Sequence, residues 1–93
     1  MKAIRVNELG GADKLTLEEI EKPTPTADEV LIKVAAAGIN YADTMMRAGN
    51  YLTKPPLPFT LGYEAAGTIE SLGEKVSHLK VGQRVLATTS SGG

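Results

Sequence analysis

Short hydrophobic segments separated by closely spaced turn residues run through most of this chain of 93 residues. Residues 3–6 form an apolar run, which the glycines at 10 and 11 end. Residues 15–17 alternate between leucine and threonine, and two glutamates follow them. Short runs of this kind, bounded by turn residues, are typical of β-strands. The pattern therefore predicts a first strand followed by an exposed or edge strand.

The clearest alternation lies in residues 29–38. One predicted face of this segment carries four apolar residues, Val30, Ile32, Val34 and Ala36. The other face is nearly apolar as well, with Leu31, Lys33, Ala35 and Ala37. Strands that are apolar on both faces are typical of the buried middle of a sheet. We therefore predict a strand here and expect it near the centre of its sheet.

One short helix is predicted between Asn40 and Gly49. Asn40 is a favourable N-cap, Asp43 suits the first turn, and Gly49 suits the C-terminal end. The proline-rich residues 51–59 that follow are predicted to form a loop. Residues 64–72 then predict a strand, which residues 73–75 end with a turn.

A turn and a last strand are predicted over residues 81–88, and residues 90–93 carry no predicted element. His78, the single histidine, lies in a segment that predicts an exposed turn. Several short strands with one helix favour a β-barrel-like domain over a parallel sheet. The predicted fold class is therefore mainly β with one short helix.

The amino-acid composition of the chain excludes several classes of function. Ten basic against eleven acidic residues give a net charge of −1, so no basic field is present to hold nucleic acid or an anionic membrane. The absence of cysteine excludes disulfides, thiolate nucleophiles and sulfur-ligated zinc. No segment has the pattern of a signal peptide or the length of a membrane span. A soluble, cytoplasmic module is therefore expected.

The aromatic residues are few and lie in one stretch of the chain. They are Tyr41, Tyr51, Phe59 and Tyr63. Clustered aromatics can form a surface for a flat ligand, or they can fill one corner of the core. The sequence leaves both interpretations open.

The glycine-containing motifs resemble those of a known family. The segments AGINYAD (residues 37–43) and GNY (49–51) are similar to the signature of zinc-independent, zeta-crystallin-like quinone oxidoreductases. GYEAAG (62–67) and GQRV (82–85) are similar to the wider pattern of the medium-chain dehydrogenase/reductase superfamily. Over its whole length the chain resembles that superfamily's N-terminal, GroES-like catalytic domain. The resemblance implies a partly open β-barrel.

Two departures from the zinc-dependent relatives change the expected chemistry. Those enzymes carry a cysteine where this chain has Asn40 and a histidine where it has Tyr63. Neither replacement is a plausible zinc ligand, so we expect no metal. A quinone or another conjugated carbonyl is already electrophilic and needs no Lewis acid to accept hydride. The resemblance then implies NADPH as the hydride donor and a quinone or enone as the substrate.

The resemblance also implies a set of site residues. It assigns catalytic roles to Asn40, Tyr41 and Tyr63, and contacts with the cofactor to Asn40, Tyr41, Met45 and Tyr51. Each has a structural alternative, because Asn40 can cap the helix, Tyr41 can be half-buried on it, and Tyr63 can fill the emptied metal pocket. Met45 and Met46 can pack the helix against a sheet. Glu64 is expected to pair with an arginine or a backbone group, and Arg47 is a candidate partner.

The nucleotide-binding motif of the family is absent from these residues. No Gly-x-Gly-x-x-Gly occurs, so the resemblance implies a separate Rossmann domain outside this chain. Residues 1–93 are then expected to be a truncated GroES-like domain, inactive alone, of a protein that forms a homodimer. Two alternatives stay open, an enoyl thioester reductase of the same superfamily and a co-chaperonin-like, ring-forming interaction protein.

Overall fold

The computed structural model describes residues 1–52 and 54–89, which form six strands and one α-helix. The strands are β1 (Lys2–Val6), β2 (Leu15–Glu19), β3 (Val30–Ala37), β4 (Phe59–Thr60), β5 (Glu64–Leu72) and β6 (Arg84–Thr88). Helix α1 (Tyr41–Ala48) lies between β3 and β4, and a 3₁₀ turn that the sequence did not predict spans Ala12–Lys14. The chain end that predicted no element lies outside the described residues, as does Thr53 of the predicted loop.

In this part of the chain the strands form two antiparallel sheets of three strands each. Their orders are β2-β1-β4 and β3-β5-β6. β2 is an edge strand, as predicted. The sheets do not close into a barrel, so the architecture is mainly β, partly open, with one short helix, as expected. No helix within the described ranges is long and apolar enough to cross a membrane.

The position predicted for β3 is wrong. In the described sheet β5 is the central strand, and β3 lies at the edge. Val34 is 49% exposed, and the residues from Ala35 to Ala37 are exposed as well. The register also shifts between Val34 and Ala36, which interrupts the alternation on which the prediction depended. Apolar residues on both faces show that a strand can be buried, but not which other segments cover it.

The hydrophobic core near α1 consists of Val6, Met46 and Phe59, with Tyr51, Leu61 and Tyr63 packed against it. Phe59 was predicted to end a loop. It begins β4 instead, because its backbone pairs with Val6 in β1. This short pairing ties the end of the proline-rich segment to the first strand.

The ends of α1 form as the sequence predicts. The Asp43 carboxylate accepts the backbone N–H of Asn40 at 2.8 Å, as in a capping box. Gly49 takes the left-handed conformation with φ of 85° and ends the helix. Arg47 does not pair with Glu64; its Nε donates to the carbonyl of Gly10 at 3.1 Å. This bond ties the helix to the loop after β1.

A polar network on the β1–β2 hairpin predicts a pH effect. Thr16 donates to Glu18 Oε2 at 2.6 Å, and Asn7 donates to the same oxygen. These bonds, the one from Thr16 first, hold the pKa of Glu18 below its ordinary value. The network therefore stabilises the folded state above the unfolded-state pKa of Glu18 and loses that effect as the pH falls through the lowered folded-state pKa.

We expect Thr16→Val to raise the pKa of Glu18 toward that of an ordinary glutamate, because the largest stabilising bond to the carboxylate is removed. NMR titration of the Glu18 carboxyl carbon measures this change. Glu21→Gln, which removes an exposed carboxylate outside the network, serves as the control. A Glu18 pKa that is the same in Thr16→Val and wild type would contradict the network.

Candidate active site

Four of the five predicted site residues lie in two groups around α1, and the fifth, Met45, lies within the helix. Asn40 and Tyr41 are exposed at the N-terminal end of the helix. Tyr51, which follows the helix, and Tyr63, just before β5, are half-buried on the hydrophobic core. Met45 is half-buried within the helix. The structure thus brings Tyr51 and Tyr63 to one core cluster and leaves the helix N-terminus open.

Tyr41 is more exposed than the structural alternative predicted. Its side chain is 80% exposed, so it is not half-buried. Met45 follows Tyr41 by four residues, and side chains at this spacing share one face of a helix. Asn40 is the N-cap of α1, as the sequence predicted, and it forms a capping box with Asp43, whose carboxylate accepts the Asn40 backbone N–H. The Asn40 side chain is itself exposed.

The Tyr63 hydroxyl lies 3.7 Å from Met46 Sδ. Burial, and then the neighbouring Tyr51 and Asp43, raise the pKa of Tyr63 above its ordinary value. An unperturbed phenol has a pKa of about 10, so a raised pKa keeps Tyr63 protonated at neutral pH. A protonated phenol can donate a hydrogen bond to an acceptor and offers an uncharged aromatic face.

The clustered aromatic residues divide between the two roles that the sequence left open. Tyr51, Phe59 and Tyr63 fill or border one corner of the core. Tyr41 lies outside it and is largely exposed. The corner-filling role therefore accounts for three of the four aromatic residues, and Tyr41 provides the exposed ring.

Glu64 lies against the backbone just before α1. A Cβ atom at Gly38 would overlap the Glu64 carboxylate, and the Gly38 N–H donates to the Glu64 carbonyl at 3.3 Å. A larger residue at position 38 would therefore require the exposed Glu64 side chain to move. The contact places the Glu64 side chain beside the segment that leads to Asn40.

Asp43 is a residue of this region whose burial the sequence did not predict. It was predicted only as a favourable first-turn residue, yet its side chain is 4% exposed. Its spacing of three residues from the buried Met46 was the available signal, because residues at this spacing share a helix face. Because the interior has a low dielectric constant, the buried Asp43 carboxylate interacts more strongly with nearby groups than an exposed capping carboxylate would.

Two surface pockets lie outside the predicted site residues. One, of about 180 Å³, is lined by Leu9, Met46, Gly49, Lys54, Pro55, Leu57 and Phe59. The other, of about 410 Å³, is lined by Glu64, Ala65, Leu86, Ala87 and Thr88. In the part of the chain that the structure describes, no three acidic, histidine or cysteine side chains are grouped to hold a metal ion. Of the predicted residues, Asn40 and Tyr41 are exposed, whereas Tyr51 and Tyr63 are half-buried on the core.

Comparison with known families identifies the domain. Residues 26–93 match the model of the alcohol dehydrogenase GroES-like domain. The chain belongs to this family. The match confirms the GroES-like fold predicted from the glycine motifs.

Relatives of the GroES-like domain include quinone oxidoreductases. It is 50% identical to the quinone oxidoreductase of Mus musculus over all of this chain and 29% of that protein. The crystal structure of Escherichia coli quinone oxidoreductase complexed with NADPH matches it with a TM-score of 0.91 and 36% identity, over 98% of this chain and 28% of that one. The human synaptic vesicle membrane protein VAT-1 homolog-like protein matches with a TM-score of 0.95 and 36% identity, over 98% of this chain and 29% of that one. The domain therefore spans about three-tenths of the length of these relatives.

Proposed function

We propose that the protein carrying this GroES-like domain is an NADPH-dependent oxidoreductase that reduces a quinone or another conjugated carbonyl without zinc. The domain itself contributes the substrate side of the site. The observation that supports this most directly is the 50% identity, over the whole chain, to a quinone oxidoreductase. A co-chaperonin-like ring is less favoured, because the relative that is 50% identical is a quinone oxidoreductase.

The residue types at positions 40 and 63 support a reaction without zinc. The family resemblance implies that Asn40 and Tyr63 occupy the positions of a cysteine and a histidine in the zinc-dependent relatives. An amide and a protonated phenol are poor zinc ligands but good hydrogen-bonding groups. When bound, NADPH supplies the hydride, and a proton taken up with it completes the reduced substrate.

The domain's residues bind and orient the reactants in this proposal. Asn40 and Tyr41, exposed at the start of α1, contact the nicotinamide or the substrate carbonyl. Met45 lies on the same helix face as Tyr41 and borders the nicotinamide. Tyr51 and Tyr63 contribute aromatic surface beside a flat substrate, held in place by the core beneath them. A polar amide and aromatic rings fit a planar, uncharged ring with carbonyl groups.

The first test is turnover by the full-length protein. We expect oxidation of NADPH by a small benzoquinone, at a rate unaffected by a zinc chelator. An α,β-unsaturated thioester serves as the competing substrate, and a simple alcohol with NADP⁺ as the control. Faster turnover of the thioester would indicate that the substrate is an enoyl thioester rather than a quinone. Chelator-sensitive oxidation of the alcohol would contradict the proposal.

The proposal also predicts the rest of the polypeptide. We expect the reading frame of the full protein to encode a βαβ unit with a glycine-rich turn, because this domain lacks one. We also expect that protein to be a dimer. Sequencing the reading frame and measuring the mass in solution test these two points separately.

Tyr51→Ala is expected to lower kcat/KM of the full-length protein about tenfold, since removing one well-placed aromatic contact costs about 1 kcal/mol or slightly more. Tyr51→Phe keeps the ring and should retain most of the activity. Steady-state kinetics and NADPH titration compare the two variants. Unchanged turnover and NADPH affinity in Tyr51→Ala would remove Tyr51 from the site.

A further inference from the structure

Asp43 has one carboxylate oxygen without a partner. Within residues 1–52 and 54–89, Asp43 is the charged residue that is buried. Its Oδ2 accepts the Asn40 N–H at 2.8 Å, but the buried Oδ1 has no hydrogen bond. A buried acceptor left without a donor destabilises the folded state. An exposed aspartate would cap the helix without this cost, because water would satisfy its second oxygen. Capping alone therefore does not explain the burial of Asp43.

A phenol hydroxyl lies on the same side of α1. Asp43 and Met46 are three residues apart and are the two buried residues of the helix, so they share its inner face. The Tyr63 hydroxyl contacts Met46 Sδ at 3.7 Å. A thioether is a weak acceptor, whereas a carboxylate oxygen is a strong one. The hydroxyl thus has a weak partner on the helix face that also carries Asp43 Oδ1, a strong acceptor without a donor.

The electrostatic influence of Asp43 on Tyr63 agrees with this placement. The Asp43 charge is the third cause, after burial and Tyr51, of the raised pKa of Tyr63. A carboxylate beside a protonated phenol favours a hydrogen bond in which the phenol donates. Tyr51 is the other titratable group that affects Tyr63.

We propose that Asp43 is a positioning residue of the site: its Oδ1 accepts a hydrogen bond from the Tyr63 hydroxyl when the reactants are bound. This inference rests on the proposed function. Hydrogen bonds that are long or absent in a free enzyme often form or tighten in its complexes, and the proposed exchange of Met46 Sδ for Asp43 Oδ1 is a change of this kind. The bond fixes the orientation of the Tyr63 ring beside a planar substrate. One carboxylate then holds both the backbone of Asn40 and the side chain of Tyr63.

A double-mutant cycle in the full-length protein tests this coupling. The variants are Asp43→Asn, Tyr63→Phe and the double mutant, with a small benzoquinone and NADPH as reactants. In Asp43→Asn the amide oxygen can keep the Asn40 cap, while an NH₂ group takes the place of the second oxygen and cannot accept a hydrogen bond from Tyr63. We expect each single variant to lower kcat about tenfold with KM changed less than about threefold, and the double mutant to be no slower than the slower single.

Multiplicative losses in the double mutant would overturn the proposal, as would full kcat in Asp43→Asn. Asp13→Asn, which removes an exposed carboxylate from the 3₁₀ turn, is the matched control and should leave kcat unchanged. A merely structural cap would lower the thermal midpoint of Asp43→Asn without coupling its kcat to Tyr63.

A second readout does not depend on turnover. A fluorinated tyrosine at position 63 reports its surroundings by fluorine NMR, with NADP⁺ as the added probe. We expect Asp43→Asn to change this signal in the presence of NADP⁺ and to lower the phenol pKa, because a neighbouring negative charge is removed. Identical spectra and pKa values in the two proteins would overturn the positioning role. If the wild type reduces no quinone, the proposed function fails, and this measurement still decides the role of Asp43.

Discussion

Gly67→Ala is expected to lower the free energy of unfolding by about 3 kcal/mol, at the upper end of the cost of overpacking. Gly67 lies in the central strand β5, opposite Val34 of β3 and Val85 of β6. A Cβ atom at this position would overlap the backbone carbonyl of Lys33 and lie 3.0 Å from Ile32 Cγ2. The carbonyl belongs to β3, so it cannot move without opening the pairing of β3 with β5.

Gly11→Ala provides the matched control for this prediction. Gly11 has an extended backbone with φ of −78°, and its added Cβ would meet only the flexible Asp13 side chain at 3.0 Å. Its expected change is within about 0.5 kcal/mol. Urea unfolding of the full-length protein, with amide hydrogen exchange in β3 and β5 to localise the effect, compares the two variants. Equal stabilities would show that the two strands separate easily at Gly67.

Phe59→Ala is expected to cost about 3–5 kcal/mol, the range for truncation of a buried aromatic ring. Phe59 is 7% exposed and packs with Val6 and Met46. Tyr51 and Tyr63 rest against the same cluster. A cavity at position 59 should therefore loosen both tyrosines, and the proposed activity should fall even below the unfolding temperature.

Phe59→Leu distinguishes the loss of packed volume at position 59 from the loss of the aromatic ring. Leucine leaves a smaller cavity, so its cost should be clearly below that of alanine, and the activity should follow the same order. Thermal unfolding and quinone turnover of the full-length protein give both quantities. A stable Phe59→Ala variant would contradict the placement of Phe59 in the core. A destabilised variant with full activity would separate this core from the site.

The sequence by itself determined the elements whose signals are local. The strand over residues 64–72 and the helix with Asn40 and Gly49 at its ends form where predicted, because alternation and capping depend on neighbouring residues. The glycine motifs also sufficed for the family. The order of residues along the chain was enough to recognise these features, and no knowledge of contacts between distant residues was needed.

Only the tertiary structure decided which segments meet. It moved β3 to the edge of its sheet and directed Arg47 to Gly10 rather than Glu64. It also buried Asp43, whose role as a cap was predictable but whose unpaired oxygen was not. Each of these features depends on residues far apart in the sequence, and burial is set by which elements cover a side chain. A local pattern reports the preference of a residue for an element, whereas packing decides its neighbours.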